Sequence, residues 1–176
     1  NGLEEFEQEH LPGAVFLDLD EVSDPESELP HTIPTEDYLS KKIGELGIGN
    51  DSWVVVYDTT GLFSAARVWW MFRAFGHERV SLLDGGLPKW KAENRPLSNG
   101  RFEAKPSQFR AVFKKQMFCN WESVLEHPKD QNSLILDARP IERFSGEVDE
   151  PRPGLRSGHI PNSKNLPFME LLEGSD

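Results

Sequence analysis

Apolar residues in this chain gather into short runs that stop abruptly at acidic positions. Trp53-Val54-Val55-Val56-Tyr57 closes on Asp58, and Ser133-Leu134-Ile135-Leu136 closes on Asp137. Runs of this kind suit buried, parallel strands of an α/β sheet covered on both faces. A third run, Val80-Ser81-Leu82-Leu83, ends at Asp84-Gly85-Gly86, and the aromatic and apolar content of Ser64 to Phe75 between them predicts a well-buried helix. Strand, loop, helix and strand make a βαβ unit. Ahead of it Leu3 to His10 reads as a polar helix. Residues 94–117 lose periodicity, and Asn94, Pro96, Asn99, Gly100 and Pro106 mark a connecting segment. A second unit then opens with a short helix at Trp121 to Glu126, and Ser133 to Arg139 follows as its first core strand.

An internal echo ties the two halves together. His10-Leu11-Pro12-Gly13-Ala14 resembles Gly158-His159-Ile160-Pro161-Asn162-Ser163, and each is followed by a short apolar stretch. A repeat separated by about 150 residues predicts two copies of one domain. The first copy continues from His10 to the strand end at Asp58; the same spacing from His159 runs about thirty residues past Asp176. Both histidines read as structural, because proline narrows the backbone choices of the turn that follows each.

Composition excludes several classes of function. A net charge of -11 over 176 residues argues against nucleic-acid binding, which relies on Lys and Arg displacing counterions from phosphates. Small anions remain possible substrates, because a few local arginines act at short range while distant charges are screened. No stretch reaches the roughly 18 to 20 apolar residues of a membrane span. Cys119 is the only cysteine, which rules out a disulfide within the chain and makes a reducing compartment the default. Five scattered histidines and one cysteine offer no metal-ligand spacing. The chain opens at Asn1 inside the first helix, so a native terminus further upstream is expected.

Three longer strings are more specific: Val54 to Asp58, Gly61 to Phe72 and Leu83 to Trp90 resemble the first domain of two-domain rhodaneses and mercaptopyruvate sulfurtransferases. Leu136 to Phe144, Glu150-Pro151-Arg152 and Arg156 to Pro161 resemble the start of the second. The resemblance implies tandem rhodanese-like α/β domains, each a parallel sheet flanked by helices. A nearly complete, inactive first domain would occupy 1–102, an interdomain linker 103–118, and the truncated opening of the second 119–176. Within the family the nucleophile is a second-domain cysteine, in a strand-to-helix loop whose backbone N–H groups favour thiolate and persulfide. That loop is expected beyond this chain, and Asp58 occupies the corresponding place in the first domain. Asp58 is equally readable as a local cap; in neither case is it a nucleophile.

The resemblance further implies that Arg143 and Arg152 hold the mercaptopyruvate carboxylate, for which the planar guanidinium fork is suited; the alternative is two solvated loop arginines. Asp20 and His31 resemble a first-domain pair lining the cleft of mercaptopyruvate enzymes and assisting proton movement, against a simple backbone-capping role for His31. Cys119, beside Met117, Phe118 and Trp121, is expected to be structural and partly buried. Trp69, Trp70, Phe72 and Phe75 are expected to pack the central helix rather than form a substrate platform. Asn162 stands where the family usually has glycine, in a turn that must tolerate a side chain. The implied activity moves sulfane sulfur from 3-mercaptopyruvate through a cysteine persulfide to thioredoxin, another thiol or cyanide, releasing pyruvate without cofactor or metal, in a cytoplasmic or mitochondrial home. Thiosulfate as donor and a non-catalytic rhodanese-like binding module are the alternatives.

Overall fold

The computed structural model describes residues 1–126 and 133–172. Helices α1 (Gly2–Gln8) and α2 (Glu36–Glu45) precede strand β1 (Val54–Val56), helix α3 (Ala65–Ala74), strand β2 (Val80–Leu82) and helix α4 (Gly86–Ala92). Beyond them come α5 (Trp121–Glu126), β3 (Leu136–Asp137), α6 (Ile141–Ser145) and β4 (Lys164–Asn165). The chain divides into two units, Asn1–Phe118 and Cys119–Asp176.

In the first unit β1 and β2 are parallel, with Val54 beside Val80 and Val56 beside Leu82. The connection between them is α3, the expected βαβ crossover. Its buried residues, Ala65, Val68, Met71, Phe72 and Ala74, recur at helical spacing and form one apolar stripe. Leu39 and Ile43 of α2, Phe75, Val80, Phe109 and Ala111 complete this core. Trp69 and Trp70 pack at its edge, where Arg73 and Arg67 lie over their rings. β1 departs from the expectation of burial on both faces. Val54 and Val56 pack inward, but Val55 is 52% and Trp53 72% exposed, so among the described residues the strand is covered on one side.

Residues 103–118 contain no helix or strand before a 3-10 turn at Lys115–Met117, and their packing belongs to the first unit. Ser107 N donates to Gly44 O at 2.9 Å and Val112 N to Phe75 O at 2.9 Å, while Ala111 N donates to Ser40 Oγ at 2.9 Å. These contacts bring Phe109 and Ala111 into the core. His77 is buried there too, against Phe72 and Phe109. Burial outweighs backbone groups of Arg79 and Ser52 and holds its pKa below the ordinary imidazole value, which favours the neutral ring.

In the second unit β3 and β4 are also parallel, Leu136 beside Lys164 and Asp137 beside Asn165. The strand lies further along than the apolar run Ser133–Leu136 suggested, and Leu134 and Leu136 are each 55% exposed. Its position follows from its partner: Lys164 N and Leu166 N donate to Ile135 O and Asp137 O, and the Asn165 amide donates to Asp137 O and Arg139 O.

The sequence echo has a matching geometry within each unit. His10 stacks on Phe6 at 4.2 Å and His159 on Phe144 at 3.9 Å. Each Nδ1 donates to that phenylalanine's carbonyl oxygen at 2.8 Å. In the turn that follows, Ala14 N donates to Leu11 O and Ser163 N to Ile160 O, both at 3.0 Å. Gly13 and Asn162, the third residues of these turns, have φ +77° and +66°. Proline second and a left-handed residue third is the type II pattern, and Asn is one of the few side chains that tolerates that conformation.

A Cβ on Gly44 would lie 2.6 Å from Ser107 O. Gly44→Ala, which would gain about 1 kcal/mol in an open helix, is therefore expected to destabilise the first unit by about 1–3 kcal/mol through overpacking. Urea unfolding followed by tryptophan fluorescence reads this; an unchanged or raised midpoint would mean that the 103–118 segment does not seat on α2.

Candidate functional site

The loop from β1 to α3 is organised by one side chain. Asp58 Oδ1 accepts from Gly61 N at 2.8 Å and Thr60 N at 3.2 Å, while Oδ2 accepts from Phe63 N at 2.6 Å and Ala65 N at 3.0 Å. Ser64, the N-cap residue of α3, makes no side-chain cap bond, so Asp58 meets part of the helix's need for acceptors from within the preceding loop. Partial burial pushes this carboxyl up, but the N–H bonds from Ala65, Phe63, Gly61 and Thr60 together hold its pKa below the usual carboxylate value. Asp58 O also accepts from Leu87 N at 3.0 Å, which ties the loop to α4. The arrangement is a ring of donors around an anion, and the anion is part of the chain. A carboxylate has no thiol sulfur to offer, so this loop can hold negative charge without carrying out sulfur chemistry.

Asp20 and His31 do meet. His31 Nε2 lies 3.1 Å from Asp20 Oδ1, with the side chains 47% and 80% exposed. Arg67, near the start of α3, donates from Nη2 to His31 O at 2.9 Å and lies 4.6 Å over the Trp70 ring. The backbone of His31 is left-handed, φ +56°, and Arg67 holds its carbonyl. A cavity of about 530 Å³ also opens in this unit, lined by Val15, Leu17, Val54, Val56 and Phe72 and reaching Asp58. Glu5 and Glu9 line it too, so with Asp58 it presents negative charge, which does not suit an anionic substrate.

In the second unit the candidate arginines differ from one another. Arg143, in α6, donates to Glu150 from Nε at 3.3 Å and from Nη2 at 2.5 Å. Glu150 is also held by Arg139, whose Nη1 lies 2.6 Å from Oε1. Arg139 in turn forks onto Asp137 and donates to Gly158 O. Arg152 is exposed and makes no ion pair among the described residues. The structure thus engages Arg143 in an ionic network and leaves Arg152 open.

Arg67, Arg139 and Glu150 were not singled out from the sequence. Arg139 and Arg143 stand four positions apart with Glu150 seven further on. This spacing of two cations and an acid was the available signal, although only the turn after α6 brings the acid back. Cys119 is exposed rather than partly buried, because the aromatic neighbours expected to cover it, Phe118 and Trp121, are themselves 47% and 68% exposed. Its Sγ lies 3.7 Å from Asn120 O, and among the described residues no group of His, Cys, Asp and Glu could hold a metal ion.

Comparison with known proteins places the chain in a family. Residues 3–93 match the family described as rhodanese-like domain. The 3-mercaptopyruvate sulfurtransferase of Homo sapiens is 44% identical over 170 residues, covering 96% of this chain and 57% of that protein. Thiosulfate/3-mercaptopyruvate sulfurtransferase 1, mitochondrial, of Arabidopsis thaliana is 40% identical over 194 residues, covering 98% and 51%. The crystal structure of the Escherichia coli 3-mercaptopyruvate sulfotransferase SseA superposes with a TM-score of 0.89 at 40% identity, covering all of this chain and 66% of that one. The chain therefore spans between half and three fifths of the length of these two curated relatives.

Replacing Asp58 tests the donor ring. Asp58→Ala should cost about 1–3 kcal/mol, because four N–H groups lose their acceptor, and Asp58→Asn should cost less. The folded pKa is depressed, so the stabilisation is complete above the unfolded value of about 3.9 and is lost as pH falls through the folded value. The stability gap between wild type and Asp58→Ala should therefore close in acid; a gap independent of pH would contradict the ring.

Proposed function

Because this chain belongs to the rhodanese-like domain family, we propose that the intact protein is a sulfurtransferase built from tandem rhodanese-like domains, with 3-mercaptopyruvate as its sulfur donor. The observation that carries the reading is the β1–α3 loop, where four backbone N–H groups converge on one anionic side chain at a strand-to-helix junction. The same loop with cysteine in place of Asp58 would stabilise a thiolate and then a persulfide. Such a loop is assigned to the second domain of the intact protein, and the repeated His-x-Pro turn supports two copies of one domain. Asp58 marks the first copy as the non-catalytic one.

In the proposed reaction the cysteine thiolate attacks the sulfur of 3-mercaptopyruvate. The carbon–sulfur bond breaks as the S–S bond of the persulfide forms, and the enolate left behind takes up a proton to become pyruvate. A thiol such as thioredoxin, or cyanide, then accepts the outer sulfur. Arg143 and Arg152 bind the substrate carboxylate: Arg143 keeps its Nη1 edge clear of Glu150, and Arg152 is exposed. His31, held by Asp20 at 3.1 Å, assists proton movement, since a carboxylate partner fixes the ring's tautomer and orientation. None of these steps calls for a metal or an organic cofactor. A cytoplasmic or mitochondrial setting suits a reactive thiol, and no helix among the described residues is long and apolar enough to cross a membrane. Thiosulfate is the second donor to consider, because the Arabidopsis relative's name pairs both substrates.

The test is pyruvate release from 3-mercaptopyruvate by the full-length protein with cyanide as acceptor. Arg143→Ala and Arg152→Ala should each raise KM about 10- to 100-fold with a smaller change in kcat, the signature of lost ground-state binding. The 176-residue chain by itself should release no pyruvate. Turnover by that chain would redirect attention to Cys119, and arginine variants with normal KM would favour thiosulfate or a non-catalytic module.

A further inference from the structure

The Glu150 side chain is enclosed by charge in the second unit, at 6% exposure. Its two carboxylate oxygens are shared between Arg139 and Arg143. Arg139 is itself immobilised, since Nε and Nη2 pair with Asp137 at 2.9 and 2.6 Å and Nη2 also donates to Gly158 O at 2.8 Å. A continuous ionic chain therefore runs from the end of β3, through Asp137, Arg139 and Glu150, to the guanidinium of Arg143. Two acids balance two arginines along it, which is the condition for enclosing such groups without stranding a charge.

The direction of approach matters more than the charge count. Glu150 engages the Nε–Nη2 side of Arg143, so the Nη1 end, with its two N–H groups and one more from Nη2, points away from the acid. A guanidinium held along one side presents a fixed fork at the other, whereas a free arginine samples many rotamers and loses that freedom on binding.

We propose that Glu150 is a positioning residue that acts through Arg143, fixing its guanidinium so that its free end receives the substrate carboxylate and selects a carboxylate-bearing sulfur donor over a compact inorganic one. The proposal rests on the assignment of Arg143 to substrate binding. Hydrogen bonding from Arg143 first, with the Arg139 charge and hydrogen bond adding to it, holds the Glu150 carboxyl below its ordinary range despite some desolvation. It is therefore ionised at neutral pH, where the arginines are charged.

The experiment uses the full-length protein and measures kcat and KM for both 3-mercaptopyruvate and thiosulfate. Glu150→Gln keeps the shape but removes the negative charge and turns one of the two acceptors into a donor. It should raise KM for 3-mercaptopyruvate about tenfold, equivalent to 1.4 kcal/mol, leave kcat within about twofold, and leave KM for thiosulfate unchanged. In an Arg143→Ala background the same substitution should add nothing, because a residue acting through Arg143 has nothing left to position. Additive effects in the double variant, or equal losses with both donors, would assign Glu150 a general structural role and overturn the proposal. If Arg143→Ala alone leaves KM unchanged, the carboxylate-binding assignment fails first, and the role of Glu150 falls with it. Should Glu150→Gln not fold, Glu150→Asp keeps the charge but is too short to span both arginines. It should give the same donor-selective rise, absent in the Arg143→Ala background.

Discussion

Backbone amides that neither a helix nor a strand can satisfy must find another acceptor, and between β1 and α3 that acceptor is the Asp58 carboxylate. The rest of the first unit is arranged around this constraint. β1 ends where the acid begins, and α3 starts where its last donor, Ala65 N, is met. On the far side the Asp58 carbonyl accepts from Leu87 N, which brings α4 against the same loop. Gly86 is required there: its φ is +53° and a Cβ would lie 2.8 Å from Asp58 O. One residue thus fastens a strand and two helices, and the apolar stripe of α3 is delivered to the core at the angle this fastening allows.

The second unit solves its local problem with charge instead of backbone amides. Asp137, Arg139, Arg143 and Glu150 come from a strand, the residues after it, a helix and a loop, and no two are adjacent in sequence. What the network positions is a direction, the open end of Arg143, rather than a hydrophobic surface. Removing one member would leave its partner with an uncompensated charge, and for that reason the four are best regarded as a unit.

Local physics made much of this legible from sequence. The aromatic content of Ser64 to Phe75 marked a buried helix, which the structure has at Ala65–Ala74. The apolar runs around residues 55 and 81 marked the two strands that α3 connects. Proline followed by Gly13 or Asn162 marked a turn needing a left-handed third residue, and both positions have positive φ. What stayed hidden depended on distant partners. The burial inferred for Trp53, Val55 and Leu136 treated hydrophobicity as coverage, whereas coverage is decided by whatever packs opposite. β3 took its place from Asn165 and its neighbours. The Glu150 network was invisible because its members are scattered over fourteen positions and meet only after the chain turns back.

A cradle filled by a covalently attached anion has one further property. A loop that carries a transferable sulfur must tolerate an occupant that changes in size and chemistry as it is loaded and discharged. The β1–α3 loop never faces that demand: its tenant is permanent, of fixed volume, and ionised throughout the neutral range. Natural selection could therefore tighten this loop around a single state, free of the compromise imposed on a working site. In that sense a loop closed on its own side chain is free to be rigid.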